Sequence, residues 1–234
     1  MSSASIATEG SPATATWRPM GFGRRMPKDI ADPLCEPLWS GRRALVDVGA
    51  SGISIRDETG SVLAGFDALR EAIRASTYAG EAMLDGYLLP GPIRDTVGAE
   101  AAPGDDATPT ARQMGRQLLF GGGSRRREER EIDEARRVVL APEAPTAFIV
   151  IDMLWLDGEP LLDVPLLERK RLLDSVVVDD ALVRRTVVVR PPIEHWFGQW
   201  RALGFREFAI KSANSRYRPG TASDHWTTAY IPKR

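Results

Sequence analysis

A chain of 234 residues with 43% hydrophobic content can bury a proper core as one domain. Its single cysteine, Cys35, excludes an internal disulfide, no apolar run approaches the roughly 20 residues of a membrane span, and the N-terminus lacks the basic and apolar regions of a signal peptide, so the cytoplasm is the expected compartment. A net charge of −1 argues against a strong non-specific grip on nucleic acid over the whole surface and leaves a local basic face open.

Residues 1–16 are rich in Ser, Ala and Thr without apolar periodicity and read as a disordered leader, followed by a domain over 17–231 that contains an insertion at 97–145. Ala44 to Val48 and Gly52 to Arg56 read as two strands of a hairpin around a Gly-containing turn. Asp67 is expected to cap a helix with Leu69, Ala72 and Ile73 on one face. Ala82 to Leu89 then reads as a strand stopped by Pro90-Gly91-Pro92. Within the insertion, 97–110 reads as a loop and Thr110 to Phe120 as a short helix broken by Gly121-Gly122-Gly123. Ser124 to Arg137 reads as a second, highly charged helix with i, i+4 partners such as Asp133 and Arg137. That helix is either a solvated face of alternating charge or an arm that contacts phosphate through Arg125 to Arg127, Arg136 and Arg137.

A long apolar strand, Ala147 to Leu156, is interrupted by Asp152, for which the anchoring of a turn or an arginine is the expected role. Asp163 is placed to cap a helix from Pro165 to about Ser175, with Leu166 and Leu173 inward and Lys170 on a solvent face beside Arg169 and Arg171. Arg185 to Arg190 reads as a strand, and Pro191-Pro192 opens a helix whose stripe of Ile193, Trp196, Trp200 and Leu203 is core packing, ended by Gly204. His195 and His225 make a poor metal pair, because no Cys or acidic residue stands at ligand spacing.

Five segments carry a family resemblance. Glu36-Pro37-Leu38-Trp39-Ser40-Gly41-Arg42-Arg43 is similar to Glu-Pro-Lys-x-Asp-Gly-x-Arg, the first motif of ATP-dependent DNA ligases, and Leu84-Asp85-Gly86-Tyr87 is similar to Leu-Asp-Gly-Glu. Phe148 to Gly158 resembles Tyr-Val-Ala-Phe-Asp-Leu-Leu-x-Leu-Asp-Gly and is followed by Pro165-Leu166-Leu167-Glu168-Arg169, as in the bacterial enzymes. Ala209-Ile210-Lys211 leading to Ser215-Arg216-Tyr217-Arg218-Pro219-Gly220 resembles the bacterial pattern Val-Ala-Lys-Arg-x-x-Ser-Pro-Tyr-Arg-Pro-Gly, and Trp226 closes the series. The order implies the α+β adenylation domain of bacterial ATP-dependent DNA ligases, an ATP-grasp-like nucleotidyltransferase fold of antiparallel sheets flanked by helices. The second, OB-fold domain of those enzymes is not expected, since Ala229 to Arg234 cannot supply its roughly five strands.

The same alignment removes chemistry. In the family the first-motif lysine attacks the α-phosphate of ATP and carries AMP as a phosphoramide; Leu38 stands in its place, and Ser40 replaces the aspartate that follows. Tyr87 replaces a glutamate, and Ile151 stands where an aromatic ring would stack on adenine. Arg206 takes the position of the fourth motif's glutamate unless the register slides to Glu207, and Thr and Tyr stand for two lysines in Trp226-Thr227-Thr228-Ala229-Tyr230. Adenylyl transfer needs metal ions and cationic clamps on the phosphates, so these losses compound.

Gly41, Arg43, Asp85, Gly86, Asp152 and Lys211 survive. The resemblance implies a residual nucleotide site of Glu36, Arg43, Asp85 and Lys211, holding ATP with Mg2+ if it holds any cofactor. The other reading is that Arg43 and Lys211 pair with carboxylates such as Asp85 or Asp152, because a buried charge that loses its ligand must find a partner. Of Lys28, Lys170, Lys211 and Lys233, none is placed by sequence to serve as a relocated nucleophile. The expectation is therefore a pseudoenzyme that acts by binding, with DNA or a DNA-repair protein as partner and no membrane. The alternatives are a divergent nucleotidyltransferase and a nucleic-acid-binding module.

Overall fold

The computed structural model describes residues 14–92 and 145–232. The expected loop and helices of the insertion lie outside the described residues. Residues 14–16, assigned by sequence to the leader, form a 3-10 turn whose Ala15 carbonyl accepts a hydrogen bond from Arg56.

Two sheets pack face to face. The larger has six strands, ordered β4 (Gly52–Asp57), β3 (Arg42–Gly49), β5 (Ala82–Pro90), β6 (Thr146–Leu156) and β7 (Glu159–Pro160), with β8 (Val183–Arg185) parallel to β6. The smaller is antiparallel, with β9 (Glu207–Ser212) between β2 (Pro33–Pro37) and β11 (Trp226–Tyr230). A short parallel pair joins β1 (Gly21–Phe22) to β10 (Ala222–Ser223). The β3–β4 hairpin forms as its sequence indicates, with Gly49 opposite Gly52. The fold is thus α+β, as expected.

Strand alternation gives the large sheet two different faces. Ala44, Val46, Leu84, Leu88, Phe148 and Val150 point to one side and form an apolar core with Leu69 and Ile73 of α1 (Asp67–Ser76) and Leu173 of α2 (Leu166–Val176). The opposite face turns toward the small sheet. There Leu45, Met83 and Leu154 join Leu34, Tyr217 and Trp226 in a second core.

The β5–β6 register explains how Asp152 is aimed. Asp85 pairs with Asp152 and Gly86 with Val150, so Ile151 is an extra residue in a β-bulge. Ile151 and Asp152 consequently both serve the inter-sheet side. Gly86 beside the bulge tolerates no side chain: a Cβ there would stand 2.1 Å from the Ile149 carbonyl oxygen. Its requirement is the close approach of β6. Gly41 is constrained in the same way, with a Cβ falling 2.4 Å from the Leu88 oxygen.

Several local expectations are corrected. Asp67 is the first residue of α1 rather than its cap; Phe66, at φ 64°, holds the cap position without a side-chain bond. Pro165 precedes α2, and Asp163 binds Arg218 instead of capping the helix. The strand expected over 185–190 lies earlier, at Val183–Arg185, because Thr186 is still bonded to Val150 whereas Val189 exchanges backbone hydrogen bonds with Cys35 of β2. The run of valines in between is a crossing from one sheet to the other. The tryptophan helix, α3 (Glu194–Ala202), packs Trp196 and Trp200 with Phe197 and Phe208 as expected, but Leu203 lies beyond its end and is exposed.

Candidate functional site

The surviving motif residues meet in a belt of buried ion pairs between the sheets. Arg43 extends from β3 and grips Asp85 of β5 through two parallel hydrogen bonds of 2.6 Å. Its third nitrogen donates to the Tyr87 hydroxyl at 2.9 Å, and its guanidinium lies 4.8 Å from the Tyr87 ring centre. Tyr217 completes the cluster by donating to Asp85 at 2.6 Å while accepting from the Met20 amide at 2.8 Å. Burial raises the Tyr217 hydroxyl well above the usual phenol value, and the Asp85 charge pushes it further. Arg43 is held well above its ordinary value because the Asp85 charge outweighs the opposing effect of burial.

A second pair joins β6 to α2. Arg169, fully buried, donates to both oxygens of Asp152 at 2.8 and 2.7 Å and spends its remaining nitrogen on the Val164 and Ser215 carbonyls. Asp152 also accepts the Met153 amide. Burial pushes the Asp152 carboxyl up, but the Arg169 guanidinium outweighs that and holds it below the usual range. The expectation that Asp152 anchors an arginine is met.

The third group is centred on Glu36 of β2. One of its oxygens lies 2.7 Å from the Lys211 ammonium and the other 2.7 Å from the Lys170 ammonium. Lys211 also sits 4.4 Å from the ring centre of Trp226, its cross-strand neighbour, while Lys170 donates to the Ile151 carbonyl at 2.6 Å, the carbonyl of the bulge residue. The Glu36 carboxyl is raised by burial and lowered further than that by the two ammoniums. Lys170 is depressed by burial and by Lys211, against the opposing pull of Glu36.

Lys170 is the residue that sequence reasoning misplaced. It is 6% exposed rather than on a solvent face. Leu166, Arg169, Lys170 and Leu173 occupy i, i+3, i+4 and i+7, a stripe that one face of a helix must bury together. That spacing was the available signal. The four residues expected at a residual site are therefore brought together as two pairs, Arg43 with Asp85 and Lys211 with Glu36, and the structure adds Arg169, Lys170, Asp152, Tyr87 and Tyr217.

Leu38 follows β2 and is half-buried, with its amide bonded to the Glu207 carbonyl; Ser40 is exposed. Ile151 packs with Tyr87 and Ile149 in an apolar patch bordered by Trp39 and Leu89. Trp39 is fixed by a 3.1 Å hydrogen bond to Thr186 and edge contact with Phe205.

A nucleotide triphosphate with its metal would have to displace the internal pairs of this belt. Every cation in the belt already has a carboxylate partner, and each carboxylate is bonded by cations rather than open to a metal. Among the described residues no three His, Cys, Asp or Glu side chains group as metal ligands.

The sequence profile of the ATP-dependent DNA ligase domain matches residues 110–228. The chain belongs to that family. It is 27% identical over 158 residues to DNA ligase 1 of Korarchaeum cryptofilum, covering 67% of this chain and 25% of that protein. The ligase domain of M. tuberculosis LigD has a similar structure, with a TM-score of 0.59 at 20% identity over 92% of this chain and 60% of that one. A mycobacterial DNA ligase D complexed with ATP is similar at a TM-score of 0.57 and 19% identity, covering 91% of this chain and 59% of that one. These similarities extend to archaeal enzymes and so run wider than the bacterial branch suggested by the motifs. The chain spans about a quarter of the length of the curated relatives it matches.

Proposed function

We propose that this member of the DNA ligase domain family is a pseudoenzyme that acts by binding, with DNA or a DNA-repair protein as its partner in repair or recombination, in the cytoplasm. The observation that carries the reading is Leu38 at the nucleophile position beside a belt whose cations are each bonded to one of its own carboxylates. A leucine has no lone pair with which to attack ATP. Lys170 is no substitute, since its ammonium is already engaged by Glu36 and the Ile151 carbonyl. Lys28 stands exposed in a 3-10 turn (Pro27–Asp29).

Intact mass spectrometry after incubation with ATP and magnesium or manganese tests the loss of chemistry. The wild type is expected to gain no AMP adduct, and an adduct would overturn the pseudoenzyme reading in favour of divergent nucleotidyl transfer. The variant Leu38→Lys, Ser40→Asp, run beside it, reports whether restoring the motif restores self-adenylylation.

A second reading, direct nucleic-acid binding, is favoured by Arg216 and Arg218, which are both exposed on either side of the buried Tyr217. If these arginines contact phosphates, DNA affinity falls steeply with salt and Arg216→Glu with Arg218→Glu weakens it further. Affinity unchanged by that charge reversal would leave a protein partner as the reading.

A further inference from the structure

The belt is not electrically balanced. Among the described residues Arg43, Arg169, Lys170 and Lys211 stand against the carboxylates of Glu36, Asp85 and Asp152, and the mismatch falls on Glu36, which both lysines share. Glu36, Lys170 and Lys211 are all buried. A buried cation with half a carboxylate keeps a desolvation cost that its attraction does not offset, and a lysine, unlike an arginine, can end that cost by losing a proton.

The two lysines are held differently. Lys211 donates a hydrogen bond of 2.7 Å to Glu36 Oε2, and its ammonium lies over the Trp226 ring, which attracts positive charge. Lys170 lies 2.7 Å from Oε1, but that oxygen accepts no hydrogen bond, so the contact is one of charge without alignment. The bond from Lys170 to the Ile151 carbonyl is one that an uncharged amine can also donate. The other charged groups around Lys170 are already engaged. Arg169, beside it on α2, is taken by Asp152 of β6; Arg171 is bonded to Glu168, Asp174 to Arg185, and Arg190 to Asp32. Cys35, next to Glu36 on β2, has its thiol pushed up to about 11 by burial and by the Glu36 charge. Burial, with the Lys211 charge added, holds Lys170 below the ordinary lysine value against the pull of Glu36 and Asp152.

We propose that Lys170 exchanges its proton in the folded chain between the ordinary histidine and lysine ranges, so that the contact of α2 with β2 is a pH-sensitive latch. On the alkaline side the belt holds three cations on three carboxylates, Arg43 on Asp85, Arg169 on Asp152 and Lys211 on Glu36. On the acid side the proton returns and Glu36 is shared again. The unfolded chain then binds more protons than the folded one across the interval, so stability rises with pH there and is lost as pH falls. The amine stays withheld from solvent, since Lys170 is buried.

NMR of the full chain tests this with isotope-labelled lysine, of which there are four, Lys28, Lys170, Lys211 and Lys233. The Cε and Nζ resonances are followed from about pH 6 to about pH 11, spanning the ordinary histidine and lysine values. Lys170 is expected to titrate at least about one pH unit below its midpoint in the urea-unfolded chain. The folding equilibrium constant should rise across the interval by up to about tenfold per pH unit, the limit for one proton, and the rise should disappear in Lys170→Met. A Lys170 midpoint equal to that of the unfolded chain overturns the proposal, as does loss of the proton from Lys211 instead. A rise that persists in Lys170→Met overturns it too; if that variant does not fold, the titration of the wild type decides alone.

Discussion

The two faces of the large sheet solve the same problem with opposite materials. The side against α1 and α2 is made of Ala, Val, Leu, Ile, Phe and Met, whereas the side against the small sheet carries Arg43, Asp85 and Asp152 amid its apolar residues. Folding alone accounts for the first. It does not call for the second, because buried ion pairs roughly break even against apolar residues of similar volume. On the polar face each buried cation is instead paired with a carboxylate of the same chain.

That contrast can be broken from the polar side with the largest effect. Asp152→Ala leaves Arg169 buried without its carboxylate and is expected to destabilise the fold by about 3–5 kcal/mol, measured by urea unfolding. Asp85→Leu is expected to cost a similar amount through stranded Arg43, whereas Asp85→Leu combined with Arg43→Met should recover to within about 1 kcal/mol of the wild type or exceed it. Failure of the double variant to recover would mean that the pair is needed for the fold itself. On the apolar face, Leu84→Ala should cost about 2–5 kcal/mol.

Acid offers a graded version of the same test. Glu36 and Asp152 both titrate at lower pH in the folded chain than in the unfolded one, so the unfolded chain takes up protons first. Their stabilisation is complete above the ordinary carboxylate pKa and is lost as pH falls below about 4, through their folded values. The Tm should therefore drop steeply in that range. The smallest effect is expected at the rim: Arg218→Ala removes an exposed, solvent-screened pair with Asp163 and should leave the urea midpoint essentially unchanged.

Sequence made the apolar face legible and the polar face only partly so. The β3–β4 hairpin, the β5 and β6 strands and the inward Leu166 and Leu173 follow from alternation and helical spacing, which burial enforces. Asp152 stood out because a lone carboxylate in an apolar strand must find a cation. Lys170 was hidden because its charge suggested solvent, although its position on the Leu166–Leu173 stripe put it inside. The valines of 187–189 satisfied the pattern of a strand while the chain was crossing between sheets, a tertiary requirement that has no local mark. The bulge at Ile151, which aims Asp152 and offers a carbonyl to Lys170, likewise depends on the partner strand.

The central claim is that the cleft's cations are already used by Glu36, Asp85 and Asp152. Isothermal titration of the purified protein with ATP and magnesium tests it most directly. The expected result is no saturable heat at millimolar ATP; saturable binding in the micromolar range would show that a nucleotide can displace the internal pairs, and would contradict the account.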